Sequence, residues 1–133
     1  MAITAMSVED EIRHTLAMYA RVHDQNDLDG FLSLFTADGL LAVISGRRVT
    51  GQAALRQFIG EIYATRRASE RRTKHIYANT VIAMEASGDR ASVVSDVVAY
   101  DSVTGGPWTI NMMRPHPPMP LDAGTTLVRE ARP

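Results

Sequence analysis

The spacing of apolar residues divides the chain into a helical first half and a sheet-forming second half. Ile12, Leu16 and Tyr19 recur at steps of three or four, which is the period of an amphipathic helix. Residues 73–85 and 91–100 are instead rich in β-branched side chains and are bounded by turn-forming residues. This change of period predicts an α+β fold, in which helices pack on one face of a curved antiparallel sheet.

Three helices are predicted in the first half. Ser7 is placed to cap the first helix, which should end near Asn26. Asp27 can cap a second, shorter helix that runs to Phe35. A third helix is expected to begin after Gly51 and to end at residue 68.

A run of basic residues follows the apolar stripe of the third helix. It consists of Arg66, Arg67, Arg71, Arg72 and Lys74. Such a run is typical of the solvated end of a helix. The alternative is that it lies at the mouth of a pocket and attracts an anionic or thioester-linked substrate.

The sheet and the tail are predicted from short apolar runs and from prolines. Strands are expected at residues 40–45, 73–85, 91–100 and 108–112, with a tight turn at Gly46, Arg47 and Arg48 after the first. Residues 113–121 contain four prolines and are therefore predicted to be a loop, after which residues 125–131 could form a last strand. We expect one domain over residues 1–133, with residues 109–133 as an atypical Met- and Pro-rich segment that covers the pocket or packs on another subunit.

Length and charge exclude several classes of protein. The chain has 133 residues, the size of one ordinary domain, and its formal net charge of -1 gives no field that would attract nucleic acid or an acidic membrane. No apolar run approaches the roughly 20 residues that span a bilayer. The chain has no cysteine, and acidic residues stand near its start where a secretory signal would be basic and then apolar. We therefore expect a cytoplasmic protein with no nucleic-acid or membrane partner.

Candidate chemistry is concentrated where the first two helices join, between Met18 and Phe31. A solvated joint needs polar residues, but it does not need Tyr19, His23 and Asp24 beside an apolar stripe. We interpret this excess as a site.

The strand that begins near residue 73 carries a second set of candidates. His75, Tyr77 and Asn79 should share one face, because side chains alternate with a period of two. Asn79 could line a cavity or tie down a bent strand. Farther along, Trp108 and nearby methionines could form an apolar lid or pack against a second subunit.

Four short motifs resemble those of SnoaL-like proteins in order and spacing. They are Tyr19-Ala-x-x-x-Asp24-x-x-Asp27-x-Asp29, Leu34-Phe-Thr-Ala-Asp38, Gly51-x-x-Ala-Leu55 and Lys74-His75-x-x-x-Asn79. This family is similar to the nuclear transport factor two superfold, a cone of strongly bent antiparallel sheet closed by three helices. The resemblance therefore implies an α+β barrel.

The resemblance also implies catalytic roles for Tyr19, Asp24 and His75. They are similar to the residues that line the cavity of bile-acid dehydratase, and the Asp-His pair also resembles that of scytalone dehydratase and hexachlorocyclohexane dehydrochlorinase. A carboxylate that accepts a hydrogen bond from one imidazole nitrogen fixes the tautomer and makes the ring a better base. We expect a separation of roughly 2.6 to 3.2 Å between the carboxylate oxygen and that nitrogen. The alternative is that Asp24 caps its helix and His75 is a half-buried strand residue.

These inferences together predict a cofactor-independent lyase or isomerase, of dehydratase or ketosteroid-isomerase type, acting on a small apolar cyclic substrate such as a steroid or polyketide. The residues expected to contact substrate are His23, Phe58, Tyr77, Asn79 and Trp108. Two alternatives stay open: a non-catalytic small-molecule binding or interaction module, and a polyketide cyclase with Asp24 as the base. We expect no metal or other cofactor, because the histidines lack ligand spacing, and a homodimer or higher homo-oligomer, because unpaired sheet edges invite partners.

Overall fold

The computed structural model describes residues 5–43, 45–103 and 106, together with the backbone of 109–112. The helices are α1 (Val8–Asp24), α2 (Leu28–Leu32) and α3 (Gln52–Ala68). The strands are β1 (Leu40–Ala42), β2 (Arg48–Thr50), β3 (Arg71–Met84), β4 (Ala91–Val103) and β5 (Thr109–Met112). Strands β1 and β2 form one antiparallel pair, and β3, β4 and β5 form an antiparallel sheet in that order. The predicted α+β fold is confirmed; the predicted loop at 113–121 and strand at 125–131 lie outside the described residues.

The first two helices begin where side-chain caps predict. The Ser7 Oγ accepts a hydrogen bond from the backbone N–H of Asp10 at 3.2 Å. The Asp27 Oδ1 accepts one from the N–H of Gly30 at 2.9 Å. Each cap satisfies a backbone donor that the first turn of a helix leaves unpaired. Helix α2 ends at Leu32, sooner than predicted.

Two arginine-containing segments differ from the prediction. Arg48 does not belong to a turn: it begins β2, where Val49 is buried between exposed neighbours and pairs with Leu41. The basic run does not stay on α3 either, because Glu70 adopts a left-handed backbone conformation with φ 52° and the chain then enters β3 at Arg71. Strand β2 and the first two residues of β3 were not predicted, because the exposed side chains of Arg48, Arg71 and Arg72 interrupt the apolar pattern.

The hydrophobic core lies between the three helices and the β1-β2 hairpin. Its buried residues are Val22, Phe31, Leu32, Leu41, Val49, Leu55, Ile59 and Tyr63. Helix α1 also packs against β3, whose half-buried face therefore lies next to this core. Within the described part of the chain, no helix is long and apolar enough to span a membrane.

A β-bulge interrupts the alternation of β3. The register with β4 shifts between Ala78 and Val81, and Asn79 within this interval has a left-handed φ of 50°. Up to the bulge, odd-numbered residues of β3 face the helices and even-numbered ones face outward. The extra residue reverses that order, so Val81 is exposed.

Candidate active site

Asp24 joins the end of α1 to strand β3. Its Oδ1 accepts hydrogen bonds from the Thr73 Oγ1 at 3.1 Å and from the His75 Nδ1 at 2.6 Å. Its Oδ2 accepts one from the backbone N–H of His75 at 2.9 Å. The side chains of His75 and Asp24 are only 13% and 10% exposed, so bulk water competes weakly for these bonds. Both carboxylate oxygens are therefore occupied by β3.

This geometry determines which ring nitrogen of His75 carries the hydrogen. Because the Asp24 carboxylate can only accept, the His75 Nδ1 carries the hydrogen that lies between them. In the neutral ring the Nε2 is then left with a lone pair. No hydrogen bond joins this nitrogen to another described residue. His75 is thus arranged as a proton acceptor at Nε2.

His23 lies beside His75, with 5.0 Å between the ring centroids. The Arg66 Nη2 lies 2.9 Å from the His23 Nε2, and the Tyr63 hydroxyl lies 3.0 Å from the His23 Nδ1. Since a guanidinium can only donate, Nε2 must accept and the hydrogen must be on Nδ1. Burial, and then the positive charge of Arg66, lower the pKa of His23 to about 3. His23 is therefore neutral at physiological pH, and its ring forms one side of the site.

Two tyrosines complete this cluster. The ring of Tyr19 stacks on His23 with 6.2 Å between centroids, and Tyr77 meets Tyr19 edge to face at 6.1 Å. Burial raises the pKa of both hydroxyls, so they stay protonated. Neither hydroxyl has a hydrogen-bond partner among the residues that the structure describes. Both are available to donate to an oxygen of a bound molecule.

The structure thus brings together five predicted site residues: Tyr19, His23, Asp24, His75 and Tyr77. The three others do not join this cluster. Trp108 lies outside the described residues. The remaining two, Asn79 and Phe58, are placed elsewhere.

Asn79 is exposed, and its side-chain amide donates to the Asp96 Oδ2 at 2.7 Å. The expectation that it shares a face with His75 is wrong, because the bulge ends the period of two. Phe58 packs at the edge of the core under the guanidinium of Arg47, 4.5 Å from the ring centroid. It lines a separate groove on α3.

Three residues of the site were missed by the sequence reasoning: Tyr63, Arg66 and Thr73. Tyr63 follows Leu55 and Ile59 on the buried stripe of α3, and a buried tyrosine needs a partner for its hydroxyl. Thr73 stands two residues before His75 and therefore shares its strand face. For Arg66 the basic run was a signal, but it did not indicate which of five cations turns inward. Among the described residues, no cluster of His, Asp and Glu has the arrangement of a metal site.

Comparisons with known proteins agree with this fold. The SnoaL-like domain matches residues 4–128. The protein Aln2 from a Streptomyces species superposes with a TM-score of 0.69 at 16% identity, over 83% of this chain and 76% of that one. An NTF2-like protein with a cystatin-like fold from Novosphingobium aromaticivorans gives a TM-score of 0.64 at 23% identity, over 77% and 64%.

A candidate scytalone dehydratase from Novosphingobium aromaticivorans DSM 12444 gives a TM-score of 0.61 at 22% identity, over 79% of this chain and 80% of that one. At such identities these structures establish the fold alone. No curated protein matches the sequence. The domain match covers most of the chain, and the chain therefore belongs to the SnoaL-like domain family.

Proposed function

We propose that this protein is a cofactor-independent lyase or isomerase that removes a proton from a small apolar cyclic substrate, such as a steroid or polyketide intermediate. The observation that carries this proposal is the 2.6 Å hydrogen bond between the Asp24 carboxylate and the His75 Nδ1. It leaves the His75 Nε2 as an acceptor beside an aromatic cluster with unpaired hydroxyls. The name of the dehydratase-like neighbour agrees with the same class of reaction.

The reaction begins with transfer of a proton from a carbon next to a substrate carbonyl to the His75 Nε2. The electron pair of that C–H bond moves toward the carbonyl oxygen, and the charge on the Asp24 carboxylate stabilises the imidazolium that forms. Tyr19 or Tyr77 donates a hydrogen bond to the developing enolate oxygen. In a dehydratase, the C–O bond to a β-hydroxyl then breaks. The oxygen keeps the bonding pair, takes the proton back from His75 and leaves as water. In an isomerase, the proton returns to a different carbon.

His75 is better placed than Asp24 to act as the base. The two Asp24 oxygens already accept three hydrogen bonds from β3, so one of the roughly four acceptor positions of the carboxylate is left for a substrate. The position of Asp24 suits an orienting role. This supports the lyase or isomerase proposal over a cyclase in which Asp24 is the base.

Proton exchange provides a test that needs no knowledge of the natural substrate. A Δ5-3-ketosteroid and a bicyclic β-hydroxy ketone would be incubated with the protein in D2O, and loss of α-protons, isomerisation and loss of water would be followed by NMR. His75→Gln should slow these reactions by about a hundredfold or more, since it removes the base. His14→Gln is the matched control, because His14 is exposed on α1.

Two outcomes would contradict the proposal. One is that the wild-type protein exchanges no proton faster than buffer, even when it binds these compounds, which would favour the binding module. The other is that His75→Gln reacts as fast as the wild type and the His14→Gln control.

A further inference from the structure

A groove of about 320 Å³ lies between the C-terminal half of α3 and the start of β3. Phe58 and Ile62 supply apolar walls, one helical turn apart. Arg66 and Arg71 supply positive charge, and Glu61 supplies one carboxylate. The groove therefore combines apolar side chains with a basic end.

Among the described residues, the direct contacts of Arg66 are with neutral groups. Its Nη1 donates to the backbone carbonyl of His23 at 3.0 Å, its Nη2 donates to the His23 Nε2, and its guanidinium carbon lies 5.6 Å from the centroid of the Tyr63 ring. These partners are neutral, and none of the described carboxylates forms an ion pair with Arg66; the charges of Asp24 and Asp101 stabilise the guanidinium only from a longer distance. Arg71, by contrast, is paired with Asp101.

Arg66 is also partly removed from water, and this burial lowers its pKa. A partly desolvated guanidinium with neutral partners gains from an anion that approaches its remaining N–H groups. A guanidinium has five N–H donors, and the contacts above use only two of them. The arginine can thus hold its contacts to His23 and still bind a carboxylate.

Glu61 limits the charge of the ligand. It lines the same groove, and its Oε1 accepts from the Gln57 Nε2 at 3.3 Å on the exposed side of α3. The carboxylate of Glu61 repels a bound anion, and this repulsion grows with the charge of the ligand, so ligands with several negative charges, such as phosphate esters, are disfavoured. A single negative charge is the best match.

We propose that this groove binds a small monoanionic carboxylate with an apolar ring, with the carboxylate on Arg66 and the ring on Phe58 and Ile62. Binding needs no proton abstraction and so stands apart from the proposed function. Among the described residues, Arg66 both lines the groove and hydrogen-bonds the catalytic cluster, through His23. A ligand held here therefore lies close to the site of Asp24 and His75.

The test compares two fluorescent probes of the same shape on the full chain. One is 2-naphthoate, and the other is 2-naphthalenemethanol, its neutral analogue. We expect the carboxylate to bind about tenfold or more tightly than the alcohol. Arg66→Gln should abolish this difference, because hydrogen bonds to a charged partner contribute about 1.5–3 kcal/mol, or roughly 10- to 100-fold.

Arg67→Gln is the matched control. Arg67 stands next to Arg66 on α3 and also donates to a backbone carbonyl, that of Asn26 at 2.7 Å, but it does not line the groove. This variant should bind both probes as the wild type does. Thr65→Trp, which fills the groove from its exposed rim, should block both probes while keeping the arginine. It provides a second test if Arg66→Gln folds poorly.

The proposal is overturned if wild type binds the two probes equally or not at all, or if Arg66→Gln and Arg67→Gln lose the carboxylate to the same extent. NMR shift changes should map to Phe58 and Ile62, and changes confined to Tyr19 and Tyr77 would also overturn it. A protein that exchanges no substrate proton but binds this probe through Arg66 would contradict the proposed function alone.

Discussion

At the scale of single residues, Asp24 holds three hydrogen-bond donors with one carboxylate. Asp24→Asn removes the charge and replaces one acceptor oxygen by an NH2 group, so the bonds to Thr73 and His75 cannot all be kept. We expect turnover to fall by about a hundredfold or more, and the melting temperature to fall as well, because a buried donor loses its acceptor at a cost of about 1–3 kcal/mol. The proton-exchange assay and thermal unfolding measure these two effects.

Thr73→Val serves as the graded comparison for this prediction. It removes one donor to Asp24 but leaves the charge and the His75 contact in place. The expected loss is about tenfold, the lower end of what supporting hydrogen bonds contribute. Equal losses in the two variants would indicate that Asp24 acts through structure rather than through its charge.

His23 should make stability depend on pH. Its pKa is lowered to about 3 in the folded protein, whereas an unfolded histidine titrates near 6.5. The unfolded chain therefore binds more protons between these values, so the free energy of unfolding should fall as pH falls from about 6.5 toward 4. The slope should approach about 1.4 kcal/mol per pH unit from this residue.

Urea unfolding at several pH values measures this dependence. His23→Gln should show a flatter curve than wild type, and His14→Gln should follow wild type because its ring is exposed. Parallel curves for all three proteins would show that His23 is protonated in the fold.

At the scale of elements, two glycines of the α3 region should respond in opposite ways to alanine. Gly60 lies inside the helix, and a Cβ there would meet the Leu28 Cδ2 at an ordinary 3.6 Å. Gly60→Ala should therefore stabilise the protein by about 0.5–1 kcal/mol. Gly51 precedes the helix with φ 85°, so Gly51→Ala should destabilise it by about 1–2 kcal/mol.

Chemical denaturation of both variants tests this pair of changes. A Cβ at Gly51 would come no nearer than 3.7 Å to the Ala37 carbonyl oxygen, so the expected cost is in the backbone and not in a clash. Destabilisation by Gly60→Ala would mean that the added methyl group and Leu28 are closer than van der Waals contact allows.

Elements with a strong period were the ones that sequence predicted well. The apolar stripes of α1 and α3 and the side-chain caps of α1 and α2 predicted the helices, and the end of α1 together with β3 predicted where Asp24 and His75 lie. The bulge at Asn79 could not be predicted, because it depends on how β3 pairs with β4. The contact of Arg66 with His23 could not be predicted either, because it joins residues 43 positions apart on two helices and depends on how those helices pack.

At the scale of the whole molecule, the outer face of β3 and β4 carries exposed apolar side chains. Ile76, Val81 and Val94 are 44%, 66% and 58% exposed, and the last two are cross-strand partners. Such a patch often marks a protein interface. We propose that a second copy of the chain covers it, giving the homodimer expected from the sequence.

Sedimentation velocity tests this proposal. Val94→Glu should convert a dimer into a monomer, because it buries an unpaired charge in the interface. Val103→Glu is the matched control, since Val103 is also 58% exposed but faces the other side of β4. A monomeric wild-type protein, or equal effects of the two substitutions, would contradict the proposal.

The anchoring of β3 by Asp24 has a kinetic consequence. The hydrogen bond from the His75 amide to the Asp24 Oδ2 joins residues 51 positions apart and encloses α2, the β1-β2 hairpin and α3. Such a long loop closes only when most of the fold has formed. The exchange rate of this one amide hydrogen with solvent should therefore report how often the assembled site opens.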